Sequence, residues 1–359
     1  MRILITGAGS QLAQALLSIA ELPLCHKMAE HTATQRLLIN LLPEAKDCVS
    51  ANDVVKGFFK EQLDICCVDS IRIAFEQFKP DFVVNCAAYN AVDLAEIDSE
   101  HAIAINENGP KLLAQECLVR KIKLVHISTD FVFNGQLSRA YNELDATSPL
   151  SAYGKSKLNG EFWVNQILGS DASIIRTSWL YSCRGNNFVK TMQRLFAVKD
   201  ELSVINDQTG SPTWCEALAV VIFQLLKQLG TSCQISKELG MEQGSELITA
   251  TVENIAPNLY HYAASGSCTW FEFAKQIQQQ MNVHFSINSK ERLECKLEPI
   301  STDLWQSWHQ HTLAKRPAQS ALCADKIRGR LAFREQSLLF ASWELQLQAM
   351  LQYQAAIKI

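Results

Sequence analysis

Arg2-Ile-Leu-Ile-Thr-Gly-Ala-Gly-Ser-Gln-Leu-Ala13 is the stretch on which the fold turns. Residues 2–6 are a short apolar run. Gly7-Ala-Gly9 breaks it, and Gln14-Ala-Leu-Leu-Ser-Ile-Ala20 continues with helical character. The order is strand, glycine turn, helix. Glycines let a backbone come close to a pyrophosphate, and a helix N-terminus offers it free N–H groups and the positive end of a dipole. The usual dinucleotide fingerprint has three glycines; here the last position is Ala13, small enough for close helix–strand packing. A lone GxG is weak, and its place after an N-terminal strand is what gives it weight.

Beyond this stretch the same alternation recurs. In residues 21–60, a strand is expected around Leu37-Leu-Ile-Asn40 and a helix over Asp53–Lys60. No residue there identifies itself as the reader of the adenosine ribose. Arg36 and Lys46 are candidates for a 2′-phosphate, with solvated surface the simpler role for both. Leu63-Asp64-Ile65 reads as a strand end. Asp69–Phe78 reads as a helix with Ile71, Ala74, Phe75 and Phe78 on one stripe. Phe82-Val-Val-Asn-Cys-Ala-Ala88 is a continuous apolar run, as expected of a strand covered on both faces. Lys111–Arg120 reads as a helix, and Lys123-Leu-Val-His-Ile-Ser128 as another buried strand ending in Thr129-Asp130. This pattern predicts an α/β fold with a doubly wound, Rossmann-like parallel sheet. Ligands of such sheets sit beyond the carboxyl ends of the strands. Gly7–Ser10, Asp64-Ile65, Ala87–Asn90 and Ser128–Asp130 are therefore expected to line one crevice.

Tyr153-Gly-Lys-Ser-Lys157 supplies the chemistry. On a helix, residues four apart share a face. A phenol beside an ammonium can move a proton, and the positive charge is expected to lower the phenol pKa. The pair alone has a bland reading as a solvated helix face. Pro149 fits a helix start, and Thr129 falls at a strand end, so hydroxyl, phenol and ammonium are expected to converge near a bound nicotinamide.

The bulk numbers fit. At 359 residues, with 48% hydrophobic and 19% charged side chains, the chain has the composition of a soluble globular protein. Its net charge of -4 and scattered basic residues argue against nucleic acid as a partner. No apolar run is long enough to span a bilayer, and the N-terminal apolar stretch is too short for a signal peptide. Twelve cysteines without framework spacing are expected to be reduced thiols in a cytoplasmic protein.

Longer segments carry a resemblance. PDFVVNCAAYNAVDLAE (80–96), HISTDFVFNG (126–135), AYNELDATSPLSAYGKSKLNGE (140–161), RTSWLY (176–181), GNNFVKTM (185–192), DELSVINDQTGSPT (200–213) and LYHYAASGSCTWFEFA (259–274) stand in an order similar to that of the dTDP-4-dehydrorhamnose reductases, a family of extended short-chain dehydrogenases/reductases. The likeness runs from Ile3 to about Leu322, with a weaker tail at Lys315–Ser320. It implies reduction of the C4 ketone of a dTDP-linked deoxyhexulose by NADPH or NADH, with a dTDP-sugar as partner and a homodimer as one assembly. It implies a catalytic set of Thr129, Tyr153 and Lys157. Around the cofactor it implies Gly7, Gly9, Ser10, Gln11, Leu12, Asp64, Ile65, Ala87, Ala88 and Tyr89, with Tyr153 and Lys157 shared. Near the substrate it implies Val92, Asp130, Phe131 and Trp179; a core role for Trp179 and a bracing role for Asp130 are the alternatives.

The chain also departs from the family. Ser10 and Ala13 stand where the turn has glycines, Asn90 where Thr is usual and Phe131 where Tyr is usual. Some members dimerise through magnesium held by Glu; one ligand position is Ala15 here, so no metal is expected. Two other readings stand beside the reductase: an enzyme for another nucleotide-4-keto sugar, and a non-catalytic NADP-binding subunit like the regulatory subunit of methionine adenosyltransferase. The expected organisation is a cofactor domain over 1–175 with a returning segment at about 200–230. A smaller, discontinuous substrate-binding lobe follows from 176–200 and 255–340, and 227–255 is a surface insertion. The tail over Leu338–Leu351 is expected to be helical and to lie on the surface. His309 and His311 are expected to be solvated.

Overall fold

The computed structural model describes residues 1–22, 31–238, 258–287, 294–308, 314–331 and 337–357. His309, His311 and the larger part of the expected 227–255 insertion lie outside them. Six parallel strands form the central sheet: β1 (Arg2–Thr6), β2 (Val54–Phe58), β3 (Phe82–Asn85), β4 (Lys123–Thr129), β5 (Ala172–Thr177) and β6 (Leu259–His261). Their spatial order is β6-β5-β4-β3-β1-β2. The order reverses at β1, and there the connections switch from one face of the sheet to the other.

Side-chain alternation along the strands explains why the runs read as wholly apolar. Ile3, Ile5, Val84, Val125 and Ile175 face one core. Leu4, Val83, Leu124 and Ile174 face the other. Both faces are covered by helices, so neither parity of position needs to be polar. On the first face lie the helices Gln11–Ala20 and Cys215–Glu238, which pack against each other. On the second lie Val68–Phe78, Gly109–Arg120 and Ala152–Leu168. The expected stripe of Ile71, Ala74, Phe75 and Phe78 is buried.

Three local expectations are corrected. Residues 33–41 form a helix rather than a strand; Thr32 and Gln35 make a reciprocal capping box at its start. Residues 54–58 form β2 rather than a helix. Among the described residues this edge strand pairs only with β1, and Gly57 lets Leu17 and Ala8 approach its backbone. Leu63-Asp64-Ile65 lies in the turn between β2 and the Val68–Phe78 helix, not in a strand.

The second half departs further from expectation. Leu259–His261 falls within the segment expected in the substrate lobe, yet it pairs with β5 as the edge of the central sheet. Residues 227–230 continue the long Cys215–Glu238 helix, with Leu229 buried, rather than opening a surface excursion. The tail forms the helix Trp343–Ala356 after a short turn at Leu338–Phe340. It does not lie on the surface. Trp343, Leu347 and Met350 are buried in the same core as the Gln11–Ala20 helix.

The smaller substructure beyond the strand ends is made of short pairings. Glu201–Ile205 pairs with Lys296–Ile300, Thr209-Gly210 with Cys268-Thr269, and Leu180-Tyr181 with Thr213-Trp214. None of the described cysteines is in a disulfide.

Candidate active site

Two adjoining cavities open beyond the carboxyl ends of the strands. One, of about 510 Å³, is lined by Gly9–Leu12, Cys86–Ala88, Asn90, Val92, Ile127–Phe131, Tyr153, Lys157, Thr177–Leu180, Gly185, Asn186 and Trp270. The other, of about 350 Å³, runs from Gly7, Gly9 and Ser10 past Phe59–Glu61 to Leu63–Cys66 and Ile105. They share Gly9, Ser10, Cys86–Ala88 and Asn90, so together they form one elongated crevice across the switch point.

The glycine turn sits at its waist. Gly7 has φ +63, and a Cβ there would come within 2.8 Å of the Ala87 backbone. Only glycine suits that combination of left-handed backbone and close approach. Ser10, by contrast, occupies extended backbone at φ -73 and caps the Gln11–Ala20 helix, its hydroxyl accepting from Ala13 N at 3.3 Å. The missing glycine therefore costs no backbone strain, and Ala13 is wholly buried in the helix–strand contact. Gln11 is braced from the far side: its Nε2 donates to Leu180 O at 3.1 Å, and Asn187 Nδ2 donates to its Oε1 at 3.3 Å. A glycine-made cradle at a helix N-terminus, with a slot running towards β2, fits the pyrophosphate and adenosine of a dinucleotide.

Tyr153 and Lys157 lie in the helix Ala152–Leu168, capped by Ser151, whose Oγ accepts from Gly154 N at 3.1 Å. Gly154 explains the spelling of the motif. A Cβ there would strike Phe131 O at 2.3 Å, so its absence lets the helix settle on the loop after β4. That contact brings Tyr153 close to Thr129, and both side chains line the same cavity. Thr129 Oγ1 also donates to Asp130 Oδ1 at 3.1 Å. Lys157 Nζ donates to Ile127 O at 2.6 Å.

Burial governs the protonation of this cluster. The Tyr153 phenol is pushed up to about 12 by burial, against the lowering effect of the neighbouring Thr129 hydroxyl. The expected lowering by Lys157 is not found: desolvation of the phenolate is the largest effect, and the charge of Asp130 adds to it. Burial lowers the Lys157 ammonium to about 8, and the charge of Glu161 opposes that shift. Burial raises Asp130 to about 6, opposed by the neighbouring Ser320 and Thr129 hydroxyls. At neutral pH the cluster thus presents a protonated phenol, a mostly charged ammonium and a mostly ionised carboxylate.

The structure brings nearly all the expected residues into this crevice. Gly7, Gly9, Ser10, Gln11, Leu12, Asp64, Ile65, Ala87 and Ala88 line it, as do Val92, Thr129, Asp130, Phe131, Tyr153, Lys157 and Trp179. Tyr89 is the exception. Asn106 clamps its backbone from both sides, accepting from Tyr89 N at 2.9 Å and donating to Tyr89 O at 3.0 Å, and its ring packs on His101. Arg36 stands on an exposed helix face and lines neither cavity, and Lys46 lines neither. Lys60, directly after β2, is a cation that does.

Three other contributors escaped the sequence reading. Trp270 reaches the crevice from the smaller substructure. Asn186 does so from the segment after Tyr181. Glu161 sits one turn beyond Lys157 in a buried ion pair with Arg176 at 2.7 Å, and accepts from Ser128 Oγ. Its signal was available: Tyr153, Lys157 and Glu161 continue a four-residue spacing along one helix face.

A parallel Rossmann sheet with a glycine turn at its switch point and a buried Thr–Tyr–Lys cluster at the strand ends defines the scaffold of a nucleotide-dependent reductase. Within that class the chain belongs to the family of the RmlD substrate binding domain, whose model matches residues 1–355. It is similar to a dTDP-4-dehydrorhamnose reductase of Sinorhizobium fredii, with 32% identity over 80% of this chain and 88% of that one. It is also similar to that of Aggregatibacter actinomycetemcomitans, with 31% identity over 91% of this chain and 92% of that one. Among solved structures, a dTDP-4-dehydrorhamnose reductase of Bacillus anthracis in complex with NADP superposes with a TM-score of 0.71, at 30% identity over 98% of both chains. Among the described residues no helix is long and apolar enough to cross a membrane.

Proposed function

We propose that this chain reduces the C4 ketone of dTDP-4-dehydrorhamnose to dTDP-L-rhamnose with NADPH or NADH. The observation that carries the reading is the buried phenol of Tyr153, which lines the larger cavity together with Thr129, Lys157 and the glycine turn. The names of the relatives supply the substrate class, and the NADP complex of the Bacillus anthracis relative supplies the cofactor class.

In this reading Gly7, Gly9, Ser10, Gln11 and Leu12 hold the pyrophosphate. Asp64 and Ile65 meet the adenine end, Ala87 and Ala88 lie along the ribose, and Lys157 holds the nicotinamide ribose hydroxyls. Bound nicotinamide supplies the hydride to the ketone carbon. Tyr153 donates its proton to the oxygen as negative charge develops there, and Thr129 gives that oxygen a second hydrogen bond. The high phenol pKa keeps the proton in place until it is needed. Lys157 places positive charge beside the resulting phenolate. Val92, Asp130, Phe131 and Trp179 face the deoxy sugar. The cofactor half comprises residues 1–175, the helix from Cys215 and β6, and the substrate half comprises 176–214 and the remainder of 255–340. We place the enzyme in the cytoplasm, without a membrane or nucleic-acid partner, as a monomer or homodimer.

The test is direct. Purified protein given NADPH and dTDP-4-dehydrorhamnose should consume both and yield dTDP-L-rhamnose. NADPH binding without turnover, or turnover confined to a different nucleotide-4-keto sugar, would refute the assignment.

A further inference from the structure

Trp179 has a backbone φ of +45, which places a bulky side chain in the left-handed region. Such a residue is an outlier, held only when its surroundings over-determine it, and it is a reason to look for function. Here the surroundings are identifiable. The Trp270 ring lies parallel to the Trp179 ring, with centroids 3.4 Å apart and 7° between the planes. Phe188 in turn packs on Trp270 at 4.6 Å. Close beside the Trp179 ring is Gly210. A Cβ on Gly210 would fall 2.4 Å from Cε2, 2.6 Å from Nε1 and 2.7 Å from Cζ2 of that indole. Gly210 does not have a positive φ, so its own backbone does not demand glycine; the atoms nearest to an added Cβ all belong to the Trp179 indole.

We propose that Gly210 and Trp270 form a slot that fixes the Trp179 indole as a rigid wall of the substrate pocket, so that both are positioning residues for the sugar of the nucleotide substrate. Three observations converge: the left-handed φ at Trp179, the parallel stack with Trp270, and the close approach of the indole to Gly210. Trp179 and Trp270 both line the larger cavity, on the side away from the Phe59–Cys66 end. Aromatic faces suit the apolar side of a deoxy sugar, and a wall that cannot swing away holds the ketone in register with Tyr153. The slot residues Gly210 and Trp270 do not line the smaller cavity beside the glycine turn, so NADPH affinity reports any damage that spreads beyond the slot. The choice of ligand rests on the function proposed above.

Gly210→Ala tests the slot without straining its own backbone. It should lower kcat/KM for the dTDP-4-keto sugar by at least about tenfold, since small misplacements of a substrate are costly. KM should carry most of the loss, while the NADPH Kd from fluorescence quenching stays unchanged. The circular-dichroism couplet of two stacked indoles should vanish in Trp270→Ala, and Trp270→Phe should recover much of the lost KM. The proposal is overturned if Gly210→Ala keeps both the wild-type KM and the couplet. It is also overturned if the NADPH Kd rises in step with KM, the mark of general damage. If Gly210→Ala does not fold, the comparison of Trp270→Ala with Trp270→Phe decides by the same criteria. Absence of wild-type turnover would refute the reductase reading. In that case the couplet together with the dTDP-L-rhamnose Kd still decides on the slot.

Discussion

The two ends of the crevice are built by different means. The waist of the cofactor end, where the pyrophosphate is placed, is made of backbone and small residues: Gly7, Gly9, Ser10, Ala87 and Ala88 follow β1 and β3. The substrate end is made of side chains from separate segments: Val92, Phe131, Trp179, Asn186 and Trp270. A backbone-built site is fixed as soon as the sheet forms, because strand ends and helix N-termini supply its groups. A side-chain-built site depends on every element that braces it. Changes at the cofactor end should therefore act through stability and nucleotide affinity. Changes at the substrate end should act through KM and alignment. The Thr129–Tyr153–Lys157 cluster lies between them: Thr129 and the Tyr153 hydroxyl should act on the chemical step, and Lys157 on that step and on nicotinamide binding.

The largest expected effect is at that junction. Tyr153→Phe removes the proton donor and keeps the ring that meets Phe131 edge to face at 5.7 Å. The expected loss in kcat is about 10²–10⁴-fold, the usual range for general acid catalysis. Isothermal titration should find NADPH and dTDP-L-rhamnose bound as in the wild type. If either affinity falls with kcat, the cluster belongs to one end of the crevice and the three-part division fails.

Next in size is Gly7→Ala, which probes the backbone-built end. A methyl group at φ +63, 2.8 Å from the Ala87 backbone, should cost about 1–3 kcal/mol of stability. Thermal unfolding should show a lowered Tm, and NADPH affinity should fall more than affinity for the dTDP-sugar. Equal loss of both affinities would show that the two ends are not separable.

The same contrast governs how much could be read from the sequence. β1, β3 and β4 were legible because a parallel strand covered on both faces is a solid apolar run with no competing reading. β2 was not. It is an edge strand with Val54 and Lys56 exposed and Gly57 within it, a pattern that neither strand nor helix periodicity claims. The helix at 33–41 was mistaken for a strand because Leu37-Leu-Ile is a short apolar run, which periodicity alone does not resolve. The Thr32–Gln35 capping box was the better signal. At the site, the residues named from strand ends or motif spelling reached the crevice. Tyr89 did not, because the Asn106 clamp that turns it aside is a long-range contact. Trp270 was invisible for the converse reason: only folding brings it onto Trp179. The buried Trp343–Ala356 helix reads as surface because it carries Gln and Glu; buried Gln346 donates to Leu338 O and Leu339 O.

Titration gives a smaller effect that separates the junction from its neighbours. The phenol, pushed up to about 12, stays protonated across the working range and sets no limb there. Lys157 is lowered to about 8, so its charge, and with it the rate, should be lost as pH rises through about 8. Asp130 is raised to about 6, so its charge should be lost as pH falls through about 6. A bell-shaped kcat/KM profile between these limbs is expected for the free enzyme. Asp130→Asn should flatten the acid limb and leave the alkaline one. An acid limb that survives in Asp130→Asn would remove Asp130 from the substrate contacts.

The smallest effect lies at the outer edge of the cofactor end, where the backbone-built site meets solvent. Lys60 and Glu61 both follow β2, the strand whose end meets the adenosine ribose in Rossmann folds. An ammonium there favours a 2′-phosphate and a carboxylate favours free ribose hydroxyls, so the two residues oppose each other in the choice between NADPH and NADH. Both are exposed, and solvent and salt weaken each contribution. Lys60→Ala should raise the NADPH Kd by about two- to fivefold, the scale of an exposed ion pair, and leave the NADH Kd unchanged. Glu61→Ala should strengthen NADPH binding by a similar factor. Raising the salt should shrink both differences. Fluorescence titration of the two cofactors against each variant reads all of these. If Lys60→Ala weakens NADPH and NADH alike, the lysine supports the turn at Phe59–Gln62 rather than the phosphate, and nucleotide choice rests on the backbone-built part of the crevice.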